Sequence, residues 1–286
     1  MDCADAPSCA SAPACLGGIV RRDEGLSLSI RGLSYALRDR SRTMRQILDN
    51  VDLSVREGEF VSVVGPSGCG KSTLLNFISH LLPVQQGELE VLGAPVQAFN
   101  TKVGYVFQQH ALLPWRTVIE NTELGLEVKG EGREERRARC REVLAQMGLA
   151  GFEDHYPSEI SGGMRQRVSL ARTLVAEPEF ILMDEPFGAL DAQTKVLIQE
   201  IFLKYWEQHR RSVLFVTHDL GEAIALSDRV VVMSARPGRI IADHVIDLPR
   251  PRNGERLRSD PRFIEYHDLL WSALRDEAAN AMQVAQ

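Results

Sequence analysis

Short apolar runs bounded by turn residues recur along the chain: Phe60-Val61-Ser62-Val63-Val64, Val103-Gly104-Tyr105-Val106-Phe107, Phe180-Ile181-Leu182-Met183 and Val213-Leu214-Phe215-Val216. Runs without alternation read as strands buried on both faces, the habit of parallel sheets covered by helices. Helical spacing falls between them: Leu74, Leu75, Ile78 and Leu81-Leu82 share one face, and Met164, Val168, Ala171 and Val175 another. Strand and helix in alternation predict an α/β fold with a largely parallel core sheet. Ahead of it, in-out alternation in Leu26–Ile30 and Val51–Val55 predicts an antiparallel N-terminal β subdomain, with the charged stretch Arg38 to Arg45 as a loop. From Ala111 to Glu159 the rhythm breaks. Val143-Leu144, Met147 and Leu149 keep helical spacing there and no strand is evident, so a helical subdomain is expected as an insertion over about 111–165. No repeat of 20 to 50 residues is present, which excludes solenoids and propellers.

The 286 residues carry 33 Lys and Arg against 39 Asp and Glu, a net charge of −6. That balance argues against nucleic acid as a partner, since a phosphate backbone demands a basic face. Arg133, Arg136, Arg137, Arg139 and Arg141 do cluster, but Glu131, Glu134, Glu135 and Glu142 interleave with them, the pattern of a solvated helix. No run of about 18 apolar residues occurs, and the first residues lack a basic start and an apolar core, so neither a membrane span nor a secretory leader is expected. Five cysteines, an odd number, suggest free thiols in a reducing compartment; Cys3, Cys9 and Cys15 match no zinc spacing. The Ala/Pro/Ser-rich residues 1–25 are expected to be a disordered tail.

Chemistry concentrates at strand ends. Gly65, Pro66, Ser67, Gly68, Cys69, Gly70, Lys71 and Ser72 spell the phosphate-binding loop GxxxxGK[ST] between an apolar strand and an amphipathic helix. Its glycines let backbone N–H groups converge on an anion that the helix N-terminus also attracts. Lys71 would reach the β- and γ-phosphates of a nucleotide, Ser72 a Mg2+ ion, and Thr73 a further phosphate. Asp184 and Glu185 follow the strand Phe180–Met183, with Asp184 a candidate metal ligand and Glu185 the candidate base for water. Gln108 and His218 also follow strands and would supply a metal or water contact and a γ-phosphate contact. Taken singly, each of these polar residues equally fits a surface strand cap. Ser161, Gly162 and Gly163 open a helix, with Ser161 at the N-cap, and offer a second anion site. One nucleotide cannot easily reach both anion sites within one chain, so two chains are expected to pair head to tail, each sharing ATP with its partner.

In this order, the Lys71 loop, Gln108, Ser161-Gly162-Gly163-Met164, Asp184-Glu185, Leu190-Asp191 and His218 resemble the ATP-binding cassette (ABC) ATPases from about Leu26 to Leu248. The resemblance implies a P-loop NTPase of the ABC ATPase fold that hydrolyses Mg-ATP in a homodimer, with Asp191 as the acid linking the two sites. It also implies an adenine-stacking aromatic in the N-terminal strands; Tyr35 is available, and spacing alternatively allows Leu37. Ile160, Met164 and Gly188 depart from the commoner Leu, Gln and Ser of the family without removing the anion-binding Ser and glycines. Leu112–Val118 and Asp228–Arg239 look like the ATPase subunits of nitrate, sulfonate and taurine importers. In such subunits the segment after Gln108 lies beside the groove for a helix of an integral membrane permease.

The expected organisation is therefore a tail over 1–25, a cassette over 26–250 and a helical extension over 251–286. Asp260-Pro261 would start that last helix, with Phe263, Leu270, Trp271 and Leu274 forming its apolar face. The 68 residues after His218 (286 − 218) are too few for the regulatory domain of sugar-type importer ATPases. The function expected is the ATPase of an importer bound to the cytoplasmic face of the inner membrane through its permease, fed indirectly by a secreted solute-binding protein. An exporter or lipid-handling ATPase, a non-transport ABC ATPase and a P-loop small-molecule kinase are the alternatives.

Overall fold

The computed structural model describes residues 25–38, 43–252 and 257–284. All but the last residue of the expected tail, with Cys3, Cys9 and Cys15, lies outside them. β1 (Leu26–Arg38), β2 (Met44–Arg56), β4 (Gln86–Val91) and β5 (Ala94–Pro95) form an antiparallel sheet in the order β2-β1-β4-β5. β1 and β2 are far longer than alternation alone suggests. Register shifts break the period of two between Ile30 and Leu33, where Gly32 (φ 59°) faces a turn-like Asn50 (φ 49°), and the ladder then continues to Arg38 and Met44.

The core sheet runs β10 (Ile240–Val245), β9 (Arg229–Met233), β3 (Phe60–Val64), β8 (Ser212–Thr217), β7 (Phe180–Asp184), β6 (Val103–Val106), parallel except for β10. Alternate residues of these strands serve two layers. Val61, Val63, Phe180, Leu182, Leu214 and Val216 face α1 (Lys71–Ile78) and the antiparallel sheet, joining Leu74, Leu75, Phe77 and Ile78. Phe60, Ile181, Met183, Val213 and Phe215 face the other way, onto α5 (Gly162–Leu174) and α6 (Ala192–His209). Each such Val, Leu or Phe side chain contributes about 1.5–3 kcal/mol through removal from water. Leu81, placed by spacing on the α1 face, is exposed because the helix stops at Ile78.

Between β6 and β7 the described residues contain no strand. They hold α2 (Val118–Thr122), α3 (Leu124–Val128), α4 (Arg133–Gln146) and α5, so a limit at residue 165 cuts into α5. Arginines of α4 pair with acids outside the helix rather than simply facing water: Arg136 with Glu123, in the turn between α2 and α3, at 3.1 Å and Arg139 with Glu131, in the loop before α4, at 2.8 Å. A C-terminal helix, Pro261–Val284, packs Phe263 and Leu270 against α7 (Leu220–Leu226). Trp271, one residue and therefore about 100° further round, is exposed instead of joining that face. No helix among the described residues is long and apolar enough to cross a membrane.

Candidate functional site

The register of the parallel strands aligns their carboxyl ends. Val64 lies opposite Thr217, Asp184 opposite Val216, and Val106 opposite Met183. Whatever follows each strand therefore emerges on one edge, where open α/β sheets bind ligands. The Gly65–Ser72 loop leaves β3 there, Gln108 follows β6, Asp184 and Glu185 end β7, and His218 follows β8. Four chain segments remote in sequence are brought together by a single hydrogen-bonded ladder.

Gly65–Gly70 wraps the start of α1. Gly68 (φ 78°) and Gly70 (φ 108°) occupy the left-handed region, and a Cβ at Gly70 would lie 2.7 Å from Leu48. Lys71 is buried within its own loop, donating from Nζ to the carbonyls of Gly65 (2.8 Å) and Pro66 (3.0 Å). Cys69 is buried beside it, and burial raises its thiol pKa against the opposing pull of Lys71, which makes it a packing residue rather than a nucleophile. Thr73 is half-buried as the third residue of the helix.

Ser72 donates from Oγ to Asp184 Oδ1 at 3.0 Å, joining the two expected metal ligands directly. Burial raises the Asp184 pKa, and the Ser72 bond partly offsets this. A desolvated carboxylate beside a hydroxyl is a hard-oxygen pair suited to Mg2+, which commonly takes one or two carboxylates and completes its shell with phosphates and water. Gln108, Glu185 and His218 converge on one atom: Glu185 Oε2 lies 3.0 Å from His218 Nδ1 and 3.5 Å from Gln108 Nε2. Glu185 itself has φ 43°, a conformation that costs a non-glycine residue on the order of 1–3 kcal/mol. Its amide is held to Val216 O at 2.9 Å, so the neighbouring strand enforces the turn that aims the carboxylate.

Five other expected site residues, Ser161, Gly162, Gly163, Asp191 and Tyr35, stand apart. Ser161 caps α5, accepting from Met164 N at 3.2 Å, and is exposed with Gly162 and Gly163 behind it. Among the described residues no hydrogen bond or ion pair links this segment to the Gly65–Ser72 loop. Asp191 is exposed and caps α6, accepting from Thr194 N at 3.0 Å, a bond that also lowers its pKa. Tyr35 offers no free face: it is 7% exposed and meets Phe77 edge-on at 4.9 Å. Its ring belongs to the layer under α1, because the bulged register of β1 turns Tyr35 inward while Leu37 is 48% exposed.

The structure adds supporting residues. Tyr105 lies near Asp184, and burial with the nearby carboxylate pushes its phenol pKa up; a polar tip on an apolar strand just before the edge is the available signal. Lys195 reaches Glu222 (2.9 Å) and Asp219 (3.3 Å), fastening α6 to the turn after His218. Arg172 of α5 donates to Ala111 O (2.7 Å) and His110 O (3.0 Å), while His110 Nδ1 lies 2.5 Å from Gln166. The segment carrying Gln108 is thus bound to the helix that Ser161 caps. Arg172→Ala leaves two carbonyls without their donor and is expected to cost roughly 2 kcal/mol, or about 4–8 °C in Tm. Thermal melting checks the loss, and faster amide exchange over Gln108–Leu112 checks its location.

A GxxxxGK[ST] loop between strand and helix, a serine hydroxyl bonded to a strand-end aspartate and a glutamate turned into the same edge make up the arrangement of a P-loop ATPase. The ABC transporter family profile matches residues 48–188. The chain is 49% identical to a taurine import ATP-binding protein, TauB, of Burkholderia pseudomallei, over 80% of this chain and 90% of that one. It is 45% identical to an aliphatic sulfonates import ATP-binding protein, SsuB, of Bacillus cereus, over 80% and 89% respectively. A dimeric bacterial ABC transporter cassette superposes with a TM-score of 0.69 at 35% identity, covering 78% of this chain and all of that one. A post-hydrolysis dimer bound to ADP and Pi gives the same TM-score at 34% identity. The chain belongs to the ABC transporter family and is an ATP-binding ATPase subunit.

Proposed function

We propose that this chain is the ATP-hydrolysing subunit of an importer for small sulfonate-type solutes such as taurine, with nitrate as a related candidate. The observation that carries the proposal is the division of the site. The phosphate loop and the Gln108, Asp184, Glu185 and His218 edge are assembled within one chain, whereas the Ser161–Gly163 helix start is exposed and unconnected to them. Two copies paired head to tail would place Ser161–Gly163 of one against the Lys71 loop of the other, with Asp191 near the junction. The dimeric cassettes similar to this chain support that pairing.

In this reading Lys71 exchanges its loop carbonyls for β- and γ-phosphate oxygens, and Gly65–Gly70 present amides to the same oxygens. Ser72, Asp184 and Gln108 would hold Mg2+, which neutralises charge on the β- and γ-oxygens when bound. Glu185 orients and polarises the attacking water, and His218 contacts the γ-phosphate. Rate acceleration rests on positioning and charge stabilisation rather than on a covalent intermediate. Tyr35 has no part in it, and an adenine ring is better received by the exposed Leu37.

The permease would dock near Gln108 and the helical insertion. Phe99 and Phe107 are exposed there in sequence beside Gln108, and Trp115 is 71% exposed. Large exposed aromatics beside a mechanically tied segment fit an interface with a membrane protein helix. The chain would then lie peripherally on the cytoplasmic face of the membrane, and a secreted binding protein would deliver solute from the other side. Co-reconstituted with its permease in vesicles, the protein is expected to drive ATP-dependent taurine accumulation. Trp115→Ala is expected to weaken permease association about tenfold, within the 1–2 kcal/mol that an anchoring aromatic supplies. ATP hydrolysis with no permease association would overturn the transport reading.

A further inference from the structure

The outer side of the phosphate loop is held by a segment no nucleotide contact requires. After β9 the chain turns through Ser234–Arg239 and lies alongside β2: Gly238 N donates to Ile47 O at 2.8 Å, and Asp49 N donates to Gly238 O at 3.0 Å. Ser234 Oγ ties the turn internally, donating to Pro237 O and accepting from Arg239 N, both at 2.9 Å. A side chain at Gly238 would overlap the Cys69 carbonyl, so the turn is seated directly on the loop. From it Arg236 sends Nε (3.2 Å) and Nη2 (3.0 Å) to a single acceptor, the carbonyl of Gly68. The turn is fastened from behind as well, where Ala235 N donates to Glu277 Oε1 of the C-terminal helix at 3.1 Å.

A phosphate cradle works when its amides face inward, which requires its carbonyls to face outward. Lys71 holds two of the loop's carbonyls, Gly65 and Pro66, but its ammonium is also the group a phosphate recruits, so these bonds compete with the nucleotide. Gly68, in the left-handed region and without a side chain, is a peptide easily turned. Among the described residues, Arg236 is the one side chain from beyond the loop itself that hydrogen-bonds a carbonyl of residues 65–70. It approaches from the outside and remains in place when Lys71 turns to the nucleotide.

We propose that Arg236 is a positioning residue that holds the Gly68 carbonyl outward, presetting the loop for phosphate, and that Glu277 of the C-terminal helix fixes the turn that aims it. The inference rests on the reading of the Lys71 loop as the ATP site. It makes the C-terminal helix a part of nucleotide affinity, through Glu277, Ala235, Arg236 and Gly68 in turn. A presettled loop saves the ordering that binding would otherwise require, so the effect belongs in affinity rather than in the chemical step.

The test uses the full chain, with ATP dissociation constants from calorimetry and steady-state kinetics beside them. Arg236→Ala is expected to raise both Kd and KM for ATP about fivefold, the range of one modest hydrogen bond, with kcat within about twofold of wild type. Arg236→Lys, which keeps one donor, should recover part of that loss. In nucleotide-free protein, amide exchange at Gly68–Gly70 should quicken in Arg236→Ala and stay unchanged in Arg236→Lys. Glu277→Ala should raise Kd by a smaller factor, about threefold. Wild-type Kd in Arg236→Ala overturns the proposal, as does a loss of kcat at constant Kd. Wild-type Kd in Glu277→Ala overturns the role of the C-terminal helix. Failure of the wild-type chain to bind ATP at all would instead refute the ATP reading of the loop.

Discussion

Glu185→Gln is expected to lower steady-state ATP turnover by roughly 10²–10³-fold, the span of a lost general base, while ATP binding stays within about twofold. The substitution keeps the shape and length of the side chain, so it leaves the turn at φ 43° and the amide bond to Val216 O as they are. What it removes is the carboxylate that accepts from His218 and Gln108 and that would polarise water. Because hydrolysis stalls after binding, ATP should accumulate on the protein, and paired chains should outlive the wild-type pair in gel filtration. Phosphate release by purified protein bound to its permease is the decisive measurement. Turnover near wild type would remove Glu185 from the chemistry and leave it as a strand-end contact of His218.

Lys71→Ala acts one step earlier and should abolish nucleotide binding itself. A charge-assisted bond is worth about 1.5–3 kcal/mol, or roughly 10–150-fold in affinity, and Lys71 is placed to make more than one to the phosphates. The ammonium is buried and now satisfies the Gly65 and Pro66 carbonyls, so its loss also unsettles the loop before ATP arrives. Calorimetry should show ATP binding weakened by at least about 100-fold, and melting should fall modestly, because the two carbonyls left without their donor cost roughly 2 kcal/mol that removal of a desolvated charge offsets in part. Unchanged affinity would mean that Gly65–Ser72 is no more than a glycine-rich turn. The two variants separate binding from turnover, and Arg236→Ala should resemble neither.

The chemical edge was legible in the sequence because its residues obey local rules. A parallel strand buried on both faces shows as an unbroken apolar run, and the polar residue after it is marked by the break in that run, as at Gln108, Asp184 and His218. β4 and β9 were harder to read for opposite reasons. Gln86–Val91 carries mostly exposed residues with little apolar signal, and Val230–Met233 is apolar but lies amid a motif more easily read as a family signature. The choice between Tyr35 and Leu37 is not legible in the letters, because the bulges along β1 reset the period of two and so decide which of them turns inward. Arg172, Lys195 and Arg236 could not be found from spacing at all. Each acts by donating to carbonyls or carboxylates that are distant in sequence, and nothing in a chain of letters marks which backbone carbonyl lacks a donor.

The insertion between β6 and β7 bears on how such a subunit can change partners over evolutionary time. It leaves the carboxyl end of β6 and returns to the amino end of the adjacent parallel strand β7, and the two strands are locked in register with Val106 opposite Met183. The stretch from about Leu112 to Glu159 can therefore be lengthened, shortened or resurfaced for a different permease, while the ladder keeps Gln108 and Asp184 at a fixed separation and α5 stays packed in the core. The ties through His110 and Arg172 belong to the constant part, since they bind the segment after β6 to α5 on either side of that stretch. A lineage that swaps its transport partner is free to redraw the docking face between those bonds but must keep the bonds and the Ser161–Gly163 helix start, and exchange of that stretch between relatives should preserve ATP hydrolysis only when both are retained.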